Sequence, residues 1–397
     1  MSPNADSART PPLDGLLVAD FSRVLAGPLA SMYLADLGAT VVKVERSETG
    51  DDTRRWGPPY VGATSTYFAS VNRNKQSLDL DLTDPGDAEL ARRLAARADV
   101  VIENFRVGAL TRFGLDPAAV RAANPRAVYC SISGFGSGAG ADLPGYDFVV
   151  QALGGLMSIT GQPGAEPTKV GVAVVDVLTG LHATIAIQAA LRERDRSGLG
   201  QHVEVNLLSS LLSSLVNQGS AYVNGGGVPG PMGNRHPSIA PYETLATKDG
   251  SLAVAIGNDR QFATMAAVLG RPGLAEDPAF ATNHDRVLNR AELIPALEAL
   301  LRDRTTAEWT AEFRARGLPC GKVNDLAEAI GFATELGLDP VVTLPDGESG
   351  IATLASPLRL HDTPVRYHRA PPALGADSAE LRAWLADAEA PRLPDRR

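Results

Sequence analysis

The amino-acid sequence predicts an α/β protein whose larger part is a doubly wound parallel sheet covered by helices. In the first half, stretches of helical periodicity separate short β-rich apolar runs, which occupy residues 16–22, 40–45, 99–104 and 127–133. Such alternation is typical of parallel strands joined by helical crossovers. At 397 residues the chain is also long enough for two or three domains.

Several helix ends in this half carry clear signals. Between the first two strands, Pro28 is placed to begin a helix and Gly38 to end it. Residues 84–98 predict a second helix, with Pro85 near its start. Further on, the apolar residues of 172–175 predict another buried strand, and the periodic residues after it predict a long helix.

The composition changes near residue 222. Residues 222–245 are rich in Gly and Pro with little periodicity, which indicates a linker or a long surface excursion. Asp249 and Gly250 then supply the turn of a β-hairpin. Helical patterns follow to about residue 317, so we expect a smaller second region here.

Composition and charge exclude several classes of partner. The chain is 44% hydrophobic and 21% charged, which is ordinary for a globular protein, and its net charge of −9 argues against broad nucleic-acid binding. No window approaches the apolar length of a membrane helix, and no secretory signal is evident. Because Cys130 and Cys320 cannot form a disulfide framework, we expect a cytoplasmic protein.

The sequence lacks the motifs of several kinds of functional site. The first strand is followed by AGPLAS, where a dinucleotide-binding protein would carry G-x-G-x-x-G. The sequence contains neither G-x-x-x-x-G-K-[ST] nor G-x-S-x-G. The six histidines include no H-x-x-x-H pair and no cysteine at ligand spacing, so we expect no metal site.

Asp176 stands where the predicted strand at 172–175 turns into the long helix. An acid at such a junction lies near the positive end of the helix dipole, and backbone N–H groups would keep it ionised at neutral pH. This placement suits a covalent nucleophile. Alternatively, Asp176 is only the N-cap of the helix, a position for which Asp is a preferred residue.

Clusters of polar, basic or flexible residues follow four of the strands, at 23–26, 45–46, 104–106 and 133–147. Ligands of parallel α/β sheets bind outside the carboxyl ends of the strands, so we expect these clusters to meet at one edge. Arg46, Arg106 and Arg112 could bind phosphates there. The alternative for each arginine is ordinary solvated surface charge.

Ten motifs, in order, resemble those of the family III CoA-transferases, also called the CaiB/BaiF family. They are FSRVLAGPLASMYLADLGATVVKVER, GDDTRRWGPP, SVNRNKQSLDLDL, ADVVIENFRVGAL, NPRAVYCSISGFG, PGYD, VVDVLTG, GLGQHVEVNLL, GNRHPSIAPY and IGNDRQF. The resemblance extends from about residue 13 to 375. Segments such as VNLLSS and TNHDRVLNRAELI are most similar to the succinate/hydroxymethylglutarate (glutarate) CoA-transferases.

This resemblance implies an enzyme that moves CoA from an acyl-CoA donor, expected to be succinyl-CoA, to a carboxylic, expected dicarboxylic, acid. In the family, the aspartate that matches Asp176 passes through acyl-anhydride and aspartyl-CoA thioester intermediates. CoA is then a substrate, and no tightly bound cofactor is expected. The family's oxyanion donors lie on a glycine-bearing loop, but the matching stretches carry only Gly233 and Gly257, so we assign no donor.

The resemblance also places the CoA contacts. They fall on Val24, Leu25, Ala26, Arg46, Leu80, Asn104, Phe105, Arg106, Arg112, Phe113 and Tyr146. Apolar and aromatic members would pack on adenine and pantetheine while the arginines meet phosphates. For Val24, Leu80 and Phe105 the alternative is ordinary core packing. Gln151 and Arg235 are candidates, on chemistry alone, for holding a distal carboxylate of the acceptor.

Two alternative functions stay open. The α-methylacyl-CoA racemases, or epimerases, resemble this chain in fold but carry a histidine at the position of Tyr146. A tyrosine is a poor replacement for histidine in proton abstraction near neutral pH, which favours transfer. The second alternative is a non-catalytic CoA-binding protein, and the presence of Asp176 within its full motif argues against it.

The family's organisation implies the domain boundaries and the assembly. A Rossmann-like large domain would comprise residues 13–205 and 345–397, and a smaller α+β domain at 231–321 would be inserted between linkers at 206–230 and 322–344. Residues 1–12 are expected to be a disordered tail. Since subunits of this family are interlocked rings, we expect an interlocked homodimer with a large interface, and no nucleic-acid or membrane partner.

Overall fold

The computed structural model describes residues 9–346, 350–390 and 393. The chain divides into two compact units. One comprises the residues up to Gly154, Val170–Gly225 and the residues from Gly337 onward, and the other comprises Gly155–Lys169 and Gly226–Leu336.

Strands occur throughout the chain. They are β1 (Leu17–Asp20), β2 (Thr40–Arg46), β3 (Tyr60–Val61), β4 (Thr64–Ser65), β5 (Lys75–Leu80), β6 (Val100–Glu103), β7 (Val128–Ser133), β8 (His202–Asn206), β9 (Tyr242–Ala246), β10 (Ser251–Ala255), β11 (Cys320–Lys322), β12 (Val341–Leu344) and β13 (Ile351–Leu354).

The α-helices alternate with these strands in the first half and predominate later. They are α1 (Ala26–Asp36), α2 (Thr66–Ser70), α3 (Pro85–Arg97), α4 (Pro117–Ala123), α5 (Asp147–Leu153), α6 (Leu156–Ile159), α7 (Val174–Ser197), α8 (Leu207–Ser214), α9 (Val216–Val223), α10 (Asp259–Val268), α11 (Asn283–Leu288), α12 (Arg290–Leu301), α13 (Thr306–Ala315), α14 (Leu326–Glu335) and α15 (Ser378–Ala386).

A parallel sheet with strand order β5-β2-β1-β6-β7-β8 forms the centre of the first unit. The chain runs outward from β1 through β2 to β5, and returns to β6 on the other side of β1. Because such crossovers are right-handed, α1 and α3 lie on opposite faces. The predicted parallel α/β sheet is confirmed. Its direction of winding reverses between β1 and β6, which is where sheets of this type bind ligands.

The four predicted strands are confirmed as β1, β2, β6 and β7. The sequence did not predict the edge strands β5 and β8, whose residues are largely polar. In β5, Lys75 is buried and its Nζ lies 3.1 Å from the carboxylate of Asp20. The Oγ of Ser77 donates to Glu45 at 2.9 Å. Polar side chains with buried partners hide the apolar pattern of a strand.

The predicted strand at 172–175 is wrong. Helix α7 already begins at Val174, and Val172 is 62% exposed. The reason lies in the sheet, because β8 occupies the edge beside β7 and leaves this segment without a neighbouring strand. The residues before α7 therefore form an irregular connection that leads into the helix.

Helix α7 is the longest described helix and is anchored along its length. A Cβ on Gly180 would lie 2.7 Å from the carbonyl oxygen of Ala26, so only glycine permits this close approach to α1. At the other end, Arg194 Nη1 lies 3.0 Å from Asp99 Oδ1, and both side chains are nearly buried. These contacts fix α7 against the elements that surround it.

Helix α7 is also long and apolar enough to cross a membrane by length and composition alone, since an 18-residue window has a mean hydropathy of 1.6. The expectation that no window approaches this length is therefore wrong. Valine, leucine, isoleucine and alanine keep the average high although polar residues interrupt the run. One such helix is weak evidence for a membrane span, because the core helices of globular proteins have similar compositions.

In the second unit, the predicted hairpin is confirmed as β9 and β10, with the N–H of Thr247 donating to Gly250 at 2.9 Å across the turn. β11 extends this antiparallel sheet. The unit's core includes Phe262, Trp309 and Phe313.

Three expected boundaries differ from the structure. Residues 155–169 belong to the second unit, where the N–H of Gly233 donates to Gly161 at 2.8 Å. The expected linkers contain helices α8, α9 and α14, and α8 buries Leu207 and Leu211. Of the expected tail, residues 1–8 lie outside the described residues, whereas Pro11 is buried.

Candidate active site

Two adjoining cavities open at the carboxyl edge of the central sheet, where β1 and β6 end. The first has a volume of about 250 Å³ and the second about 330 Å³. Arg23 and Phe105 line both cavities, so one elongated ligand can occupy them together. Their combined volume lies within the range of small-molecule sites, about 300–1,000 Å³.

Each of the predicted CoA-binding residues lines one of these cavities. The first cavity is lined by Val24, Leu25, Ala26, Asn104, Phe105, Arg106 and Tyr146, and the second by Arg46, Leu80, Phe105, Arg112 and Phe113. The fold thus brings residues from six separate segments to one crevice. Their contact with CoA remains a prediction.

The second cavity combines an apolar wall with a cationic rim. Leu80 is buried, and the guanidinium of Arg112 lies 4.5 Å from the centre of the Phe113 ring. Arg23 Nη1 pairs with Asp52 at 2.8 Å, and both side chains are partly exposed. Such a wall can pack against a nucleobase while arginines bind phosphates.

We expect Arg46→Ala to raise the KM for acyl-CoA about tenfold with little change in kcat, because a charge-assisted hydrogen bond contributes about 1.5–3 kcal/mol. Steady-state kinetics with varied acyl-CoA will measure this. Arg271→Ala is the control, since Arg271 is exposed and lines neither cavity. An equal KM in the wild type and the Arg46 variant would remove Arg46 from the binding site.

The side chain of Asn104 shapes the loop after β1. Its Oδ1 accepts the N–H of Arg23 at 2.9 Å, and its Nδ2 donates to the carbonyl oxygen of Arg23 at 2.7 Å. The next residue, Val24, has φ = +70°, a conformation that a β-branched residue rarely adopts and that costs about 1–3 kcal/mol. Asn104 therefore holds the wall of the cavity, a role that the sequence could not reveal.

Glycines allow the loop at 133–147 to form the facing wall of the first cavity. A Cβ on Gly134 would lie only 2.7 Å from the Cα of Gly145. The two ends of the loop thus cross at a contact between glycines, which no larger residue would permit.

Asp176 lines the first cavity and is half-buried in the first turn of α7. The helix is capped by another residue, because Asp147 Oδ1 accepts the N–H of Val175 at 2.7 Å and that of Asp176 at 3.3 Å. The alternative that Asp176 is only the N-cap is therefore wrong. Its own carboxylate is not needed for capping.

Burial and then the charge of Asp147 raise the pKa of Asp176 from 3.8 to about 7. The expectation that N–H groups keep Asp176 ionised is thus wrong, because Asp147 accepts those N–H groups instead. Near pH 7 both the acid and the carboxylate are populated. The carboxylate of a weaker acid is the stronger nucleophile, and raised pKa values of this kind are common in active sites.

Gln151 is not a free carboxylate-binding side chain. It is fully buried, its Nε2 donates to Asp147 Oδ2 at 2.6 Å, and its Oε1 accepts the N–H of Val170 at 2.9 Å. The suggestion that Gln151 binds the acceptor is therefore wrong, and its role is to fix Asp147. The suggestion for Arg235 stays a prediction. Arg235 lies in the second unit, is exposed, and donates from Nε to Met232 at 2.9 Å.

Sequence reasoning also missed Tyr67. Burial and then the charge of Asp176 raise the pKa of Tyr67 to about 12. A neutral phenol O–H therefore lies near the Asp176 carboxylate, available as a hydrogen-bond donor. Tyr67 lies between the motifs GDDTRRWGPP and SVNRNKQSLDLDL, so the quoted motifs gave no signal for it. Among the residues that the structure describes, no group of three or more His, Cys, Asp or Glu is placed to hold a metal ion.

A parallel α/β sheet with a half-buried carboxylate at its ligand edge, beside cavities lined by arginines, is typical of enzymes that bind elongated anionic substrates. The model of CoA-transferase family III matches residues 13–378, and the chain belongs to this family of enzymes.

Relatives of the chain support the same assignment. It is 42% identical to a succinate–glutarate CoA-transferase of Agrobacterium fabrum, over 97% of this chain and 98% of the relative. It is 39% identical to a human succinyl-CoA:glutarate CoA-transferase, over 96% of this chain and 87% of the relative. A crystal structure of a CaiB/BaiF family protein from Brucella suis matches with a TM-score of 0.84 and 43% identity, covering 95% of this chain and 100% of that structure.

Proposed function

We propose that this enzyme transfers CoA from succinyl-CoA to a dicarboxylic acid of the glutarate class, through covalent intermediates on Asp176. The observation that carries the proposal is the half-buried carboxylate of Asp176 in the wall of the predicted CoA cavity. The names of the two relatives supply the donor and the acceptor class.

In the first half of the proposed reaction, the Asp176 carboxylate attacks the carbonyl carbon of the donor thioester. The C–S bond breaks, CoA leaves as the thiolate, and a mixed anhydride forms. The thiolate then attacks the Asp176 carbonyl of that anhydride. Succinate leaves as a carboxylate and an aspartyl-CoA thioester remains.

The second half runs the same steps in reverse with the acceptor. The acceptor carboxylate attacks the aspartyl thioester, which releases the thiolate and forms a second anhydride. The thiolate attacks the acyl carbon of the acceptor, and the Asp176 carboxylate is regenerated. Every step exchanges a carboxylate for a thiolate, so no external proton or oxidant is consumed.

Incubation of the protein with succinyl-CoA and a panel of dicarboxylic acids tests the proposal, with the CoA esters read by mass spectrometry. New esters from glutarate-like acids are expected. The same assay in D₂O with a 2-methylacyl-CoA tests the racemase alternative. Deuterium at the α-carbon without any ester exchange would replace the transferase proposal.

We expect the exchange rate to fall as pH decreases through about 7. The nucleophile must be ionised, and the pKa of Asp176 is raised to about 7, so the acid form accumulates below that pH. The measurement is kcat/KM for succinyl-CoA across neutral pH. A flat profile down to the ordinary carboxyl range would show that Asp176 does not control the rate.

We also propose that the enzyme is a homodimer. The neighbouring helices α5, α7 and α8 leave apolar side chains exposed, including Phe148 (56%), Leu153 (68%), Ile185 (66%) and Leu212 (51%). Contiguous exposed apolar surface is typical of protein interfaces. Light scattering should give twice the 41.6 kDa of one chain, and a monomeric mass at micromolar concentration would contradict the dimer.

A further inference from the structure

The loop between β1 and α1 contains a residue in an unfavourable conformation. Val24 has φ = +70°, in the left-handed region, although it is β-branched. It begins the segment Val24–Ala26, which lines the first cavity. A conformation of this kind persists only where surrounding contacts hold it, and such residues concentrate at ligand sites.

A buried ion pair supplies those contacts. The Asp51 carboxylate accepts the N–H of Val24 at 3.2 Å, and Lys43 Nζ lies 2.9 Å from the same carboxylate. Lys43 Nζ also donates to the carbonyl oxygen of Ser22 at 2.9 Å. The pair therefore grips the loop on both sides of Arg23, whose backbone groups are bound by Asn104.

Both members of the pair are charged although they are buried. The side chains of Lys43 and Asp51 are 0% and 1% exposed. Burial acts to raise the pKa of Asp51, but the charge of Lys43 and several hydrogen bonds outweigh it and hold that pKa below 3.8. A full negative charge thus faces the N–H of Val24, which makes this a charge-assisted hydrogen bond.

We propose that Asp51 is a positioning residue for acyl-CoA, which holds Val24 in its left-handed conformation and so presents residues 24–26 to the ligand. The inference rests on the proposed function, because it requires CoA to bind in the first cavity. Asp51 acts through Val24, and Lys43 fixes the carboxylate. The competing explanation is that the pair only stabilises the fold.

Asp51→Asn is the test, with the Kd for free CoA measured by calorimetry and KM and kcat measured with succinyl-CoA. We expect about tenfold weaker CoA binding and a higher KM, with kcat little changed, since a charge-assisted hydrogen bond is lost. Asp36→Asn is the matched control. It breaks a second buried pair, Asp36 with Arg73 at 2.6 Å, whose residues line neither cavity. It should lower the Tm and leave the Kd unchanged.

The Val24→Gly variant distinguishes a positioning role of Asp51 from a role in the stability of the fold alone. Glycine adopts positive φ without strain, so a carboxylate that holds Val24 in place matters less once residue 24 is glycine. Asp51→Asn should therefore weaken CoA binding less in the Val24→Gly background than in the wild type. Equal losses in both backgrounds would overturn the proposal.

If Asp51→Asn fails to fold, Asp51→Glu answers the same question. It keeps a negative charge beside Lys43 but displaces the acceptor from the N–H of Val24. Weaker CoA binding by the folded variant supports the proposal, and an unchanged Kd overturns it. A wild-type protein that binds no CoA would overturn both the proposed function and this inference, whereas normal transfer with an unaffected Asp51→Asn variant would overturn the inference alone.

Discussion

Asp176→Asn should abolish CoA exchange, with a loss of at least about 10³-fold in kcat, because an amide cannot form the covalent intermediates. The substitution keeps the shape of the side chain. Binding of free CoA should be retained, since asparagine is nearly the same size as aspartate and Asp176 is not among the predicted CoA contacts. The measurements are ester formation by mass spectrometry and the Kd for CoA by calorimetry.

The variant should also be at least as stable as the wild type above pH 7. The folded-state pKa of Asp176 is raised, so the unfolded chain loses this proton more readily, and the wild type loses stability as pH rises from 3.8 to about 7. In the Asp176→Asn variant this carboxyl group is absent, so this loss of stability does not occur. Asp195→Asn, at an exposed position of the same helix, is the control. Residual exchange near the wild-type rate would exclude Asp176 as the nucleophile.

Asp147→Asn should move the acid limb of the pH–rate profile to lower pH and lower the plateau rate about tenfold or more. The charge of Asp147 contributes to the raised pKa of Asp176, so its removal lowers that pKa. The plateau falls for two reasons. The nucleophile becomes less basic, and the asparagine Nδ2 opposes the donating amide of Gln151, which disturbs the start of α7.

The shift of the limb is the decisive measurement, because general damage to the fold would lower the rate without moving it. Asp142→Asn is the control, since it removes a carboxylate of the same loop whose residue is exposed. A lower plateau with an unmoved limb would mean that Asp147 only caps the helix.

The sequence predicted the interior of the central sheet but not its edges. β1, β2, β6 and β7 are largely buried, and each contains a run of apolar residues that a local pattern can show. The edge strands β5 and β8 carry polar residues, and in β5 these are buried against partners such as Asp20 and Glu45, which are distant in the chain. A local pattern cannot show such a partner, so these strands were missed.

The candidate site was likewise predicted only in part from the sequence. The predicted CoA-binding residues were found from motifs, and the fold places them in the walls of two adjoining cavities. The raised pKa of Asp176 did not follow from the sequence, because it depends on burial and on Asp147. That residue lies 29 positions before Asp176 and takes the N–H groups that the sequence assigned to Asp176. Tertiary contacts, and not the spacing of residues in the sequence, determine the pKa of Asp176.

Helix α7 is fixed at its start by Asp147, in its second turn by the contact of Gly180 with α1, and near its end by Arg194 and Asp99. These contacts hold the proposed nucleophile, Asp176, in one position in the first turn of the helix. The position of this carboxylate is therefore the same for every acid that reacts with it. Acids that are one carbon too short or too long should thus be rejected by distance, so chain length rather than acidity ranks the acceptors.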